Sequence, residues 1–440
     1  MNDMTHKTNI AIAVDIGTTK VCAIAGRLNE YDKLEILGVG RVKSEGVSRG
    51  VVSNIDKTVE AITQAISIAE FNSGMKFSTV HVGIAGQHIK SLHHHGLLVR
   101  NNSQAEITRE DIEKLIADMH KLVLPPGDKI LHVLPQEFTV DDHREIKDPI
   151  GMSGVRLEAN FHIITGQLTA SRNILRCLEK VNLSVSGMTL EPIASSNAVL
   201  NDDEKEAGVV MVDIGGGTTD VTIFKDGIIR HTAVIPFGGN VITKDIKEGC
   251  TVLHEQAEKL KIKFGSAMAS EIIDNRIITI PGLKGREPKE ISEKNLARII
   301  ESRVEEIFDY VMWEIKRSGY ENKLIAGMVL TGGGSLLKDI DSLADFCTGL
   351  SSRIGEPVEH LAHGYSAELS SPIFATSVGL LITAIENAEF MAQEIVEDEV
   401  IDLDDNDIDE DQHTRKNKSW GGRMFTYTKK FFEPSPDTEF

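Results

Sequence analysis

The chain has 440 residues, of which 41% are apolar, 26% charged and 5% aromatic, and its net charge at neutral pH is −20. This length gives room for two or three domains with a buried core. The acidic balance argues against a nucleic-acid partner, because phosphates repel such a surface at long range. The four cysteines are far apart and include no CxxC pair, which argues against a disulfide framework or a zinc site and fits a reducing cytosol.

The first part of the chain is predicted to alternate between strands and helices. Residues 10–15 and 21–26 are expected to be strands on either side of a polar turn, with a third strand over residues 34–42. Apolar residues at helical spacing predict a helix from Asn54 to Gly74, and residues 79–85 form the next strand. Residues 86–162 break this alternation, which predicts a small inserted subdomain.

The alternation returns with a strand at residues 161–165 and a helix at 167–181. Strands at 209–214 and 221–224 then repeat the first hairpin about 200 residues later, which predicts two similar halves. A long amphipathic helix is expected from Leu296 to Ser318. Because helices and strands alternate throughout, the sequence favours an α/β fold in two lobes.

Both hairpins carry a turn rich in glycine and threonine. The first reads Asp15-Ile16-Gly17-Thr18-Thr19-Lys20, and the second reads Asp213-Ile214-Gly215-Gly216-Gly217-Thr218-Thr219-Asp220. Glycine allows the backbone N–H groups to approach a polyphosphate closely, and the threonine hydroxyls add donors. An aspartate beside a phosphate needs a bridging cation, so Asp15 and Asp213 predict Mg²⁺ held through water. A third turn, Gly332-Gly333-Gly334, suits contact with a nucleotide.

Two further motifs accompany these turns. They are Leu134-Pro135-Gln136-Glu137-Phe138 and Asp148-Pro149-Ile150-Gly151-Met152-Ser153-Gly154-Val155-Arg156-Leu157. Together with a strand–Glu-Pro–helix segment, the chain resembles the actin-like ATPase superfamily and, within it, the FtsA family of bacterial cell-division proteins. The resemblance implies a two-lobed actin-like ATPase fold with an inserted small subdomain and a disordered tail that ends in an amphipathic helix. A sugar kinase or a chaperone-type ATPase of the same superfamily is the alternative.

The resemblance also implies a division of the chain. Lobe 1 (subdomain 1A) takes residues 1–85 and 163–200, with the inserted subdomain 1C at 86–162. Lobe 2 takes 201–242 (2A, with the second phosphate hairpin), 243–318 (the upper subdomain 2B) and 319–390 (the end of 2A and a return helix to lobe 1). An acidic disordered linker at 391–412 and a basic amphipathic membrane-targeting tail at 413–440 follow.

The cofactors implied by the resemblance are ATP and Mg²⁺, with weak or no hydrolysis. The nucleotide contacts fall on Asp15, Gly17, Thr18, Thr19, Lys20, Asp213, Gly215, Gly216, Gly217, Thr218, Thr219, Gly332, Gly333 and Gly334. Glu258 and Lys261, three residues apart on one helical face, are expected to hold the ribose, and a solvated surface pair is the alternative. Glu191 matches the glutamate that orients a water towards the γ-phosphate in related chaperones. Its alternative role is a helix-entry carboxylate beside a proline.

A basic stretch after Pro288 is the expected partner site. Lys294, Arg298 and Arg303 lie there among apolar residues, in an otherwise acidic body. The resemblance places the contact with the C-terminal peptide of the tubulin-like protein FtsZ in this subdomain, and a basic–apolar groove suits such an acidic–apolar peptide. A plain surface helix is the alternative. The resemblance further implies self-association into actin-like filaments and contacts with other division proteins.

The last 50 residues differ from the body. Carboxylates crowd the stretch from Glu394 to Asp411, which predicts an extended linker because like charges resist compaction. Beyond it, helical spacing puts an aromatic face opposite a basic face, with Trp420, Met424, Tyr427 and Phe431 on the first and Arg423 and Lys430 on the second. Such a helix lies on anionic lipid without crossing it, and docking on a protein is the alternative. We therefore expect a peripheral protein on the cytoplasmic face of the cell membrane at the division site.

Overall fold

The computed structural model describes residues 10–100, 105–282, 287–364 and 367–401. Two lobes are each built around a five-stranded mixed sheet, and a smaller four-stranded sheet is attached to the first lobe. The expected α/β architecture of two lobes with an inserted subdomain is therefore confirmed. The acidic linker beyond Ile401 and the amphipathic tail lie outside the described residues.

The first segment of lobe 1 contains a three-stranded antiparallel meander and a covering helix. Its elements are β1 (Ala11–Ile16), β2 (Lys20–Leu28), β3 (Leu34–Lys43), β4 (Val47–Ser48), β5 (Val51–Val52), α1 (Ile55–Ser73) and β6 (Thr79–Ile84). The side chain of Asn54 accepts a hydrogen bond from the N–H of Lys57, and Gly74 ends α1 with a φ of 70°. These caps are the ones that the sequence predicts.

The inserted subdomain is an antiparallel sheet packed on one helix. Its elements are β7 (Lys90–Val99), α2 (Arg109–Met119), β8 (Asp128–Val140), β9 (His143–Ile146) and β10 (Arg156–Gln167), and the strand order is β7-β10-β8-β9. Leu115, Phe138 and Phe161 are buried in its core. Three consecutive histidines, residues 93–95, lie on the outer strand β7. Neighbouring side chains on a strand point to opposite faces, so the three rings do not converge.

The chain then returns to lobe 1 through α3 (Leu168–Glu179), β11 (Ser184–Leu190) and α4 (Glu191–Val199). The sheet of lobe 1 has the order β11-β6-β1-β2-β3, in which β1 pairs antiparallel with β2 and parallel with β6. Parallel strands end at the same edge of a sheet, so the first polar turn and Glu191 both lie at the carboxyl edge of this sheet.

Lobe 2 repeats this arrangement. Its elements are α5 (Asp202–Ala207), β12 (Val209–Ile214), β13 (Thr219–Lys225), β14 (Ile228–Ile235), α6 (Gly239–Gly249), α7 (His254–Phe264), β15 (Ile277–Ile280), β16 (Lys289–Ser292), α8 (Glu293–Ser318), β17 (Met328–Thr331), α9 (Ile340–Thr348) and β18 (Ser352–Ile354). The chain then returns through α10 (Ala375–Ile401), which packs against α4 and the sheet of lobe 1. The sheet order of lobe 2 is β14-β13-β12-β17-β18, with an antiparallel β12–β13 hairpin and parallel β12–β17 pairing. The prediction of two similar halves is confirmed.

Two features of lobe 2 and the return helix differ from expectation. The long helix expected from Leu296 begins earlier, at Glu293, because Ser292 caps it, and the basic stretch after Pro288 starts on β16 with Lys289. Helix α10 continues to Ile401, past the expected linker start at residue 391. Alanine, glutamate, glutamine and methionine are strong helix formers, and they dominate this stretch of the sequence. Among the described residues, no helix has both the length and the apolar character needed to cross a membrane.

Candidate functional site

Equivalent backbone hydrogen bonds close the two glycine–threonine turns. In the first turn the N–H of Gly17 donates to the carbonyl of Lys20, and in the second the N–H of Gly215 donates to the carbonyl of Thr218, both at 2.9 Å. Each turn joins two antiparallel strands of its own sheet. The two turns therefore present equivalent backbone from opposite lobes.

The turns also face each other directly. A Cβ built on Gly217 would lie 2.7 Å from the hydroxyl oxygen of Thr18, and a Cβ on Gly216 would overlap the methyl group of Thr19. Only glycine permits this approach of backbone to the opposite lobe. Most of the predicted phosphate-binding residues are thus brought to one cleft. Thr219 differs, because its side chain is buried and its hydroxyl donates to the carbonyl of Phe237 at 2.9 Å.

Asp15 lies at the end of β1 and is almost completely buried, at 3% exposure. Its carboxylate forms an ion pair with the ammonium group of Lys20. The same oxygen accepts a hydrogen bond from the Ser377 hydroxyl at 2.8 Å, and Lys20 Nζ donates to that hydroxyl at 3.2 Å. Burial lowers the pKa of Lys20, but the charge of Asp15, its hydrogen bond and the charges of Cys22 and Glu191 together outweigh burial, and the net shift of this pKa is upward. Lys20 is therefore a firmly protonated cation inside the cleft.

Asp213 occupies the equivalent position at the end of β12. Its Oδ2 accepts hydrogen bonds from the Ser195 hydroxyl at 2.7 Å and from the Thr376 hydroxyl at 3.3 Å. A Cβ on Gly332 would overlap its Oδ1, so the third glycine turn lies against this carboxylate. Burial raises the pKa of Asp213, and the hydrogen bond from Ser195 opposes that rise.

Two further carboxyl groups complete the cluster. Asp220 pairs with Asp213 across the second hairpin and is 5% exposed. Its Oδ1 has no hydrogen-bond partner among the described residues. Burial, followed by the charge of Asp213, raises the pKa of Asp220 well above its usual value. Burial, followed by the charges of Asp15 and Asp220, does the same for the pKa of Glu191 at the start of α4.

This cluster fits a polyphosphate with a hard cation. Its carboxyl groups outnumber its single ammonium group, and one buried carboxylate oxygen lacks a partner. A Mg²⁺ ion supplies the missing positive charge, and glycine-lined turns suit phosphate oxygens. Within the described residues, no three His, Cys, Asp or Glu side chains converge as direct ligands of a metal. Asp15 and Asp213 would therefore reach the ion through water.

Helix α6 hydrogen-bonds to the backbone of the second turn, and helix α7 hydrogen-bonds to α6. The N–H groups of Gly239 and Asn240 donate to the carbonyls of Gly215 and Gly216, at 2.9 and 2.8 Å. Lys261 donates to the carbonyl of Gly239 at 2.9 Å and pairs with Glu258 at 2.8 Å. Glu258 and Lys261 thus contact α6, and α6 in turn contacts the second turn.

The third glycine turn is also at the cleft. Gly332 has a φ of 81°, and a Cβ on Gly334 would overlap the side chain of Ile214. Residues Gly333–Leu336 form a short 3₁₀ helix, and α9 begins only at Ile340.

The three basic residues expected at the partner site have unequal environments on α8. Arg298 is exposed, and its Nη1 donates to Oδ1 of Asn295 at 3.3 Å, while its backbone carbonyl accepts from the Ser302 hydroxyl at 3.0 Å. Lys294 is half-buried at the helix start. Arg303 bridges to α6, with its Nη2 3.1 Å from Oδ1 of Asp245, and it also pairs with Glu306. Trp420, Arg423, Met424, Tyr427, Lys430 and Phe431, expected at the membrane, lie outside the described residues.

Comparison with known proteins identifies the family. A family model described as "Cell division protein FtsA" matches residues 210–379, and one described as "SHS2 domain inserted in FTSA" matches residues 86–165. The cell division protein FtsA of Pseudomonas aeruginosa is 40% identical over 375 residues, which are 85% of this chain and 89% of that protein. The chain belongs to the FtsA family of cell division proteins. The FtsA proteins of Neisseria meningitidis and Escherichia coli K12 are 41% and 34% identical, each over 84% of this chain and 89% of the relative.

Solved structures give the fold of this FtsA family member independently. The PilM–PilN type IV pilus biogenesis complex aligns with a TM-score of 0.62 at 14% identity, covering 85% of this chain and 98% of that chain. MreB5 of Spiroplasma citri, solved with ADP, aligns with a TM-score of 0.52 at 16% identity over 87% and 99%. At these identities the similarity shows the fold alone. The sugar kinase and chaperone alternatives are not favoured by the family assignment.

Several residues of the cleft were missed by the sequence analysis of this FtsA family member. Ser195, Thr376 and Ser377 hold the two aspartates, and Gly239 with Asn240 ties α6 to the second turn. Their hydroxyl and amide groups belong to no phosphate motif. One signal was available for Asp220, because it ends the second motif and stands opposite Asp213 in any tight hairpin.

Proposed function

We propose that this protein binds ATP with Mg²⁺ between its two lobes and assembles on the cytoplasmic face of the cell membrane. There it tethers FtsZ polymers and helps to build the division septum. The observation that carries the proposal is the pair of matched turns that meet across the cleft, with Gly216 and Gly217 against Thr19 and Thr18. Membership of the FtsA family supplies the cell-division context.

The charges of the cleft support a nucleotide with a metal. A carboxylate-rich cleft repels a bare polyphosphate, so a cation has to accompany the ligand. The glycine turns would offer backbone N–H groups to the phosphates. The buried carboxylates would line the hydration shell of the metal ion. MreB5 of Spiroplasma citri, which shares the fold, was solved with ADP and with AMPPNP. These features favour adenine nucleotides as the ligand.

The raised pKa of Glu191 supports slow hydrolysis. A general base must be ionised to accept a proton from water. Burial and the neighbouring aspartates hold the pKa of Glu191 well above its usual value, which disfavours the ionised carboxylate. We therefore propose that bound ATP acts chiefly as a conformational ligand that promotes self-association.

The C-terminal tail supports membrane attachment. At helical spacing its aromatic and basic residues, among them Trp420 and Lys430, would segregate to opposite faces. One such helix is a weak, reversible anchor, because ordering its backbone costs about 1–2 kcal/mol per residue. Self-association places many tails on one surface, and the attachment becomes firm by multivalency.

Co-sedimentation of FtsZ with anionic vesicles tests the whole proposal. With ATP and Mg²⁺, the full chain should carry FtsZ polymers into the vesicle pellet, while FtsZ alone stays in solution. A chain lacking residues 418–440 should bind a fluorescent ATP analogue normally but leave FtsZ in solution. Changing Trp420 and Phe431 to aspartate should have the same effect, whereas Thr426→Ser is a matched control. FtsZ that pellets equally with the truncated chain would contradict tethering through the tail.

A further inference from the structure

The two turns are equivalent in backbone but differ in charge. The hairpin register places Cys22 opposite Asp15 and Asp220 opposite Asp213. Lys20 in lobe 1 corresponds to Thr218 in lobe 2, because each provides the carbonyl that closes its turn. Lobe 1 thus contributes one aspartate with one lysine, and lobe 2 contributes two aspartates with a hydroxyl. The first turn is neutral, and the second has two buried carboxyl groups without a cation.

Lys20 is held where it neutralises Asp15. Its ammonium group forms an ion pair with Asp15, and both groups contact the Ser377 hydroxyl on α10. The side chain of Lys20 is only 15% exposed. A hydroxyl from a different element that contacts both charges fixes the pair in one geometry. Asp213 has a different environment, since its partners Ser195 and Thr376 are neutral.

We propose that Lys20 takes the place of the metal at Asp15, so that the divalent cation accompanying the nucleotide is required only by the lobe 2 pair, Asp213 and Asp220. This inference rests on the proposed nucleotide function and goes beyond the expectation that Asp15 and Asp213 share the ion equally. A nucleotide then meets a turn in lobe 1 that is already neutral. Oδ1 of Asp220 is buried and has no hydrogen-bond partner among the described residues, so lobe 2 retains a carboxyl oxygen that a cation could engage.

The test is a thermodynamic cycle that compares nucleotide affinity with and without the metal in variants at Lys20 and Asp15. The affinity of the full chain for a fluorescent ATP analogue is measured in EDTA and in saturating Mg²⁺. Lys20→Met, which keeps the length of the side chain but not its charge, exposes Asp15 to the phosphates. It should weaken binding about tenfold in EDTA and much less in Mg²⁺, because the ion then replaces the lost charge. Asp15→Asn in the Lys20→Met background should remove this new metal dependence.

Loss of Lys20 should increase the dependence of nucleotide affinity on the metal, whereas substitution of the lobe 2 pair should decrease it. Asp213→Asn should reduce the gain in affinity that Mg²⁺ gives, whereas Asp15→Asn should leave that gain within about twofold of the original chain. Lys20→Arg retains the charge and should preserve the original ratio of the two affinities. Lys76→Met is the matched control for loss of one positive charge. Lys76 is exposed and precedes β6, at the opposite edge of the sheet from the cleft.

The outcomes separate this inference from the proposed function. If the original chain binds no nucleotide in Mg²⁺, the proposed function fails. If it binds, but Lys20→Met changes both affinities by the same factor, Lys20 does not stand in for the metal and the inference is overturned. Should Lys20→Met not fold, as shown by its melting curve, Ser377→Ala gives a second route. That variant retains both charges and should keep the original metal dependence, and a large new dependence would overturn the inference.

Discussion

Gly379 on α10 lies so close to Ala194 on α4 that a Cβ built on Gly379 would overlap the carbonyl oxygen of Ala194. These helices also carry the two hydroxyls that hold Asp213, since Ser195 follows Ala194 and Thr376 lies one turn before Gly379. The two hydroxyls are themselves 3.0 Å apart. The close crossing of the helices therefore positions the Asp213 carboxylate of lobe 2.

Gly379→Ala should separate the helices and loosen the hold on Asp213. We expect the free energy of unfolding to fall by about 1–3 kcal/mol, the usual cost of overpacking. The affinity for a nucleotide with Mg²⁺ should fall as well, because Asp213 loses its fixed orientation. Thermal unfolding and titration with an ATP analogue measure the two effects. Gly333→Ala is the control for stability, since its Cβ would meet nothing closer than 3.8 Å. A fully stable Gly379→Ala variant would contradict this packing.

The contact between Gly216 and Thr19 allows a test by compensation. Gly216→Ala should drive the two turns apart, because its Cβ would overlap the methyl group of Thr19. We expect nucleotide affinity to fall about tenfold, the change that 1.4 kcal/mol produces. Thr19→Ser removes that methyl group and should restore most of the affinity in the double variant. Thr19→Ser alone is the control and should bind nearly normally. No recovery in the double variant would show that the turns do not meet here.

Local sequence predicted the parts of the cleft that local backbone determines. The repeated Asp-Ile-Gly motif predicts both hairpins, because glycine and a strand-terminal aspartate stand within one tight turn. Contacts between distant residues left no such signal. Ser377 bonds to Asp15 across 362 positions, and Arg303 bonds to Asp245 across 58. Neither separation matches a helical or strand period, so only the packing of α10 and α6 determines these pairs.

Asp220→Asn should stabilise the nucleotide-free protein, and more so at higher pH. The pKa of Asp220 is raised well above its unfolded value by burial and by Asp213. The folded state therefore keeps a proton that the unfolded chain releases, and stability falls as the pH rises towards the folded pKa. Asparagine has no proton to lose, so the gain in melting temperature should be larger at about pH 7 than at about pH 4, which lies near the pKa of an unfolded aspartate. Asp203→Asn, at an exposed position, is the control. An equal gain at both pH values would contradict the raised pKa.

Substitutions at Arg298 and Arg303 should distinguish an effect on partner binding from an effect on stability. Arg303→Ala breaks a half-buried ion pair between α8 and α6, and we expect a loss of about 1–2 kcal/mol in stability. Arg298→Ala removes an exposed side chain and should change stability by less than about 0.5 kcal/mol. Arg298→Glu should weaken binding of an FtsZ C-terminal peptide, because that peptide is acidic. Thermal unfolding and peptide titration distinguish the two roles. Equal stability of the two alanine variants would show that the Asp245 pair contributes little.

The inserted subdomain also contacts lobe 2, and this contact supports the last prediction. Gln136 on β8 is buried, and its amide donates to the carbonyl of Ile229 on β14 at 2.9 Å. The adjacent Glu137 pairs with Arg230, which is only 7% exposed, at 2.8 Å. These bonds join the subdomain to the opposite lobe without passing through the cleft. Rotation of the subdomain relative to lobe 2 must break them.

Gln136→Met should weaken this junction while keeping the volume of the side chain. The carbonyl of Ile229 loses its donor in a buried position, which costs about 1–3 kcal/mol. We expect a lower melting temperature and faster proteolysis between the subdomain and the lobes. Gln64→Met is the matched control, because Gln64 is exposed on α1 and bonds only weakly to Glu60, at 3.3 Å. A Gln136→Met variant that resists protease as well as the control would show that the rest of the interface, including the Glu137–Arg230 pair, holds the subdomain in place without this bond.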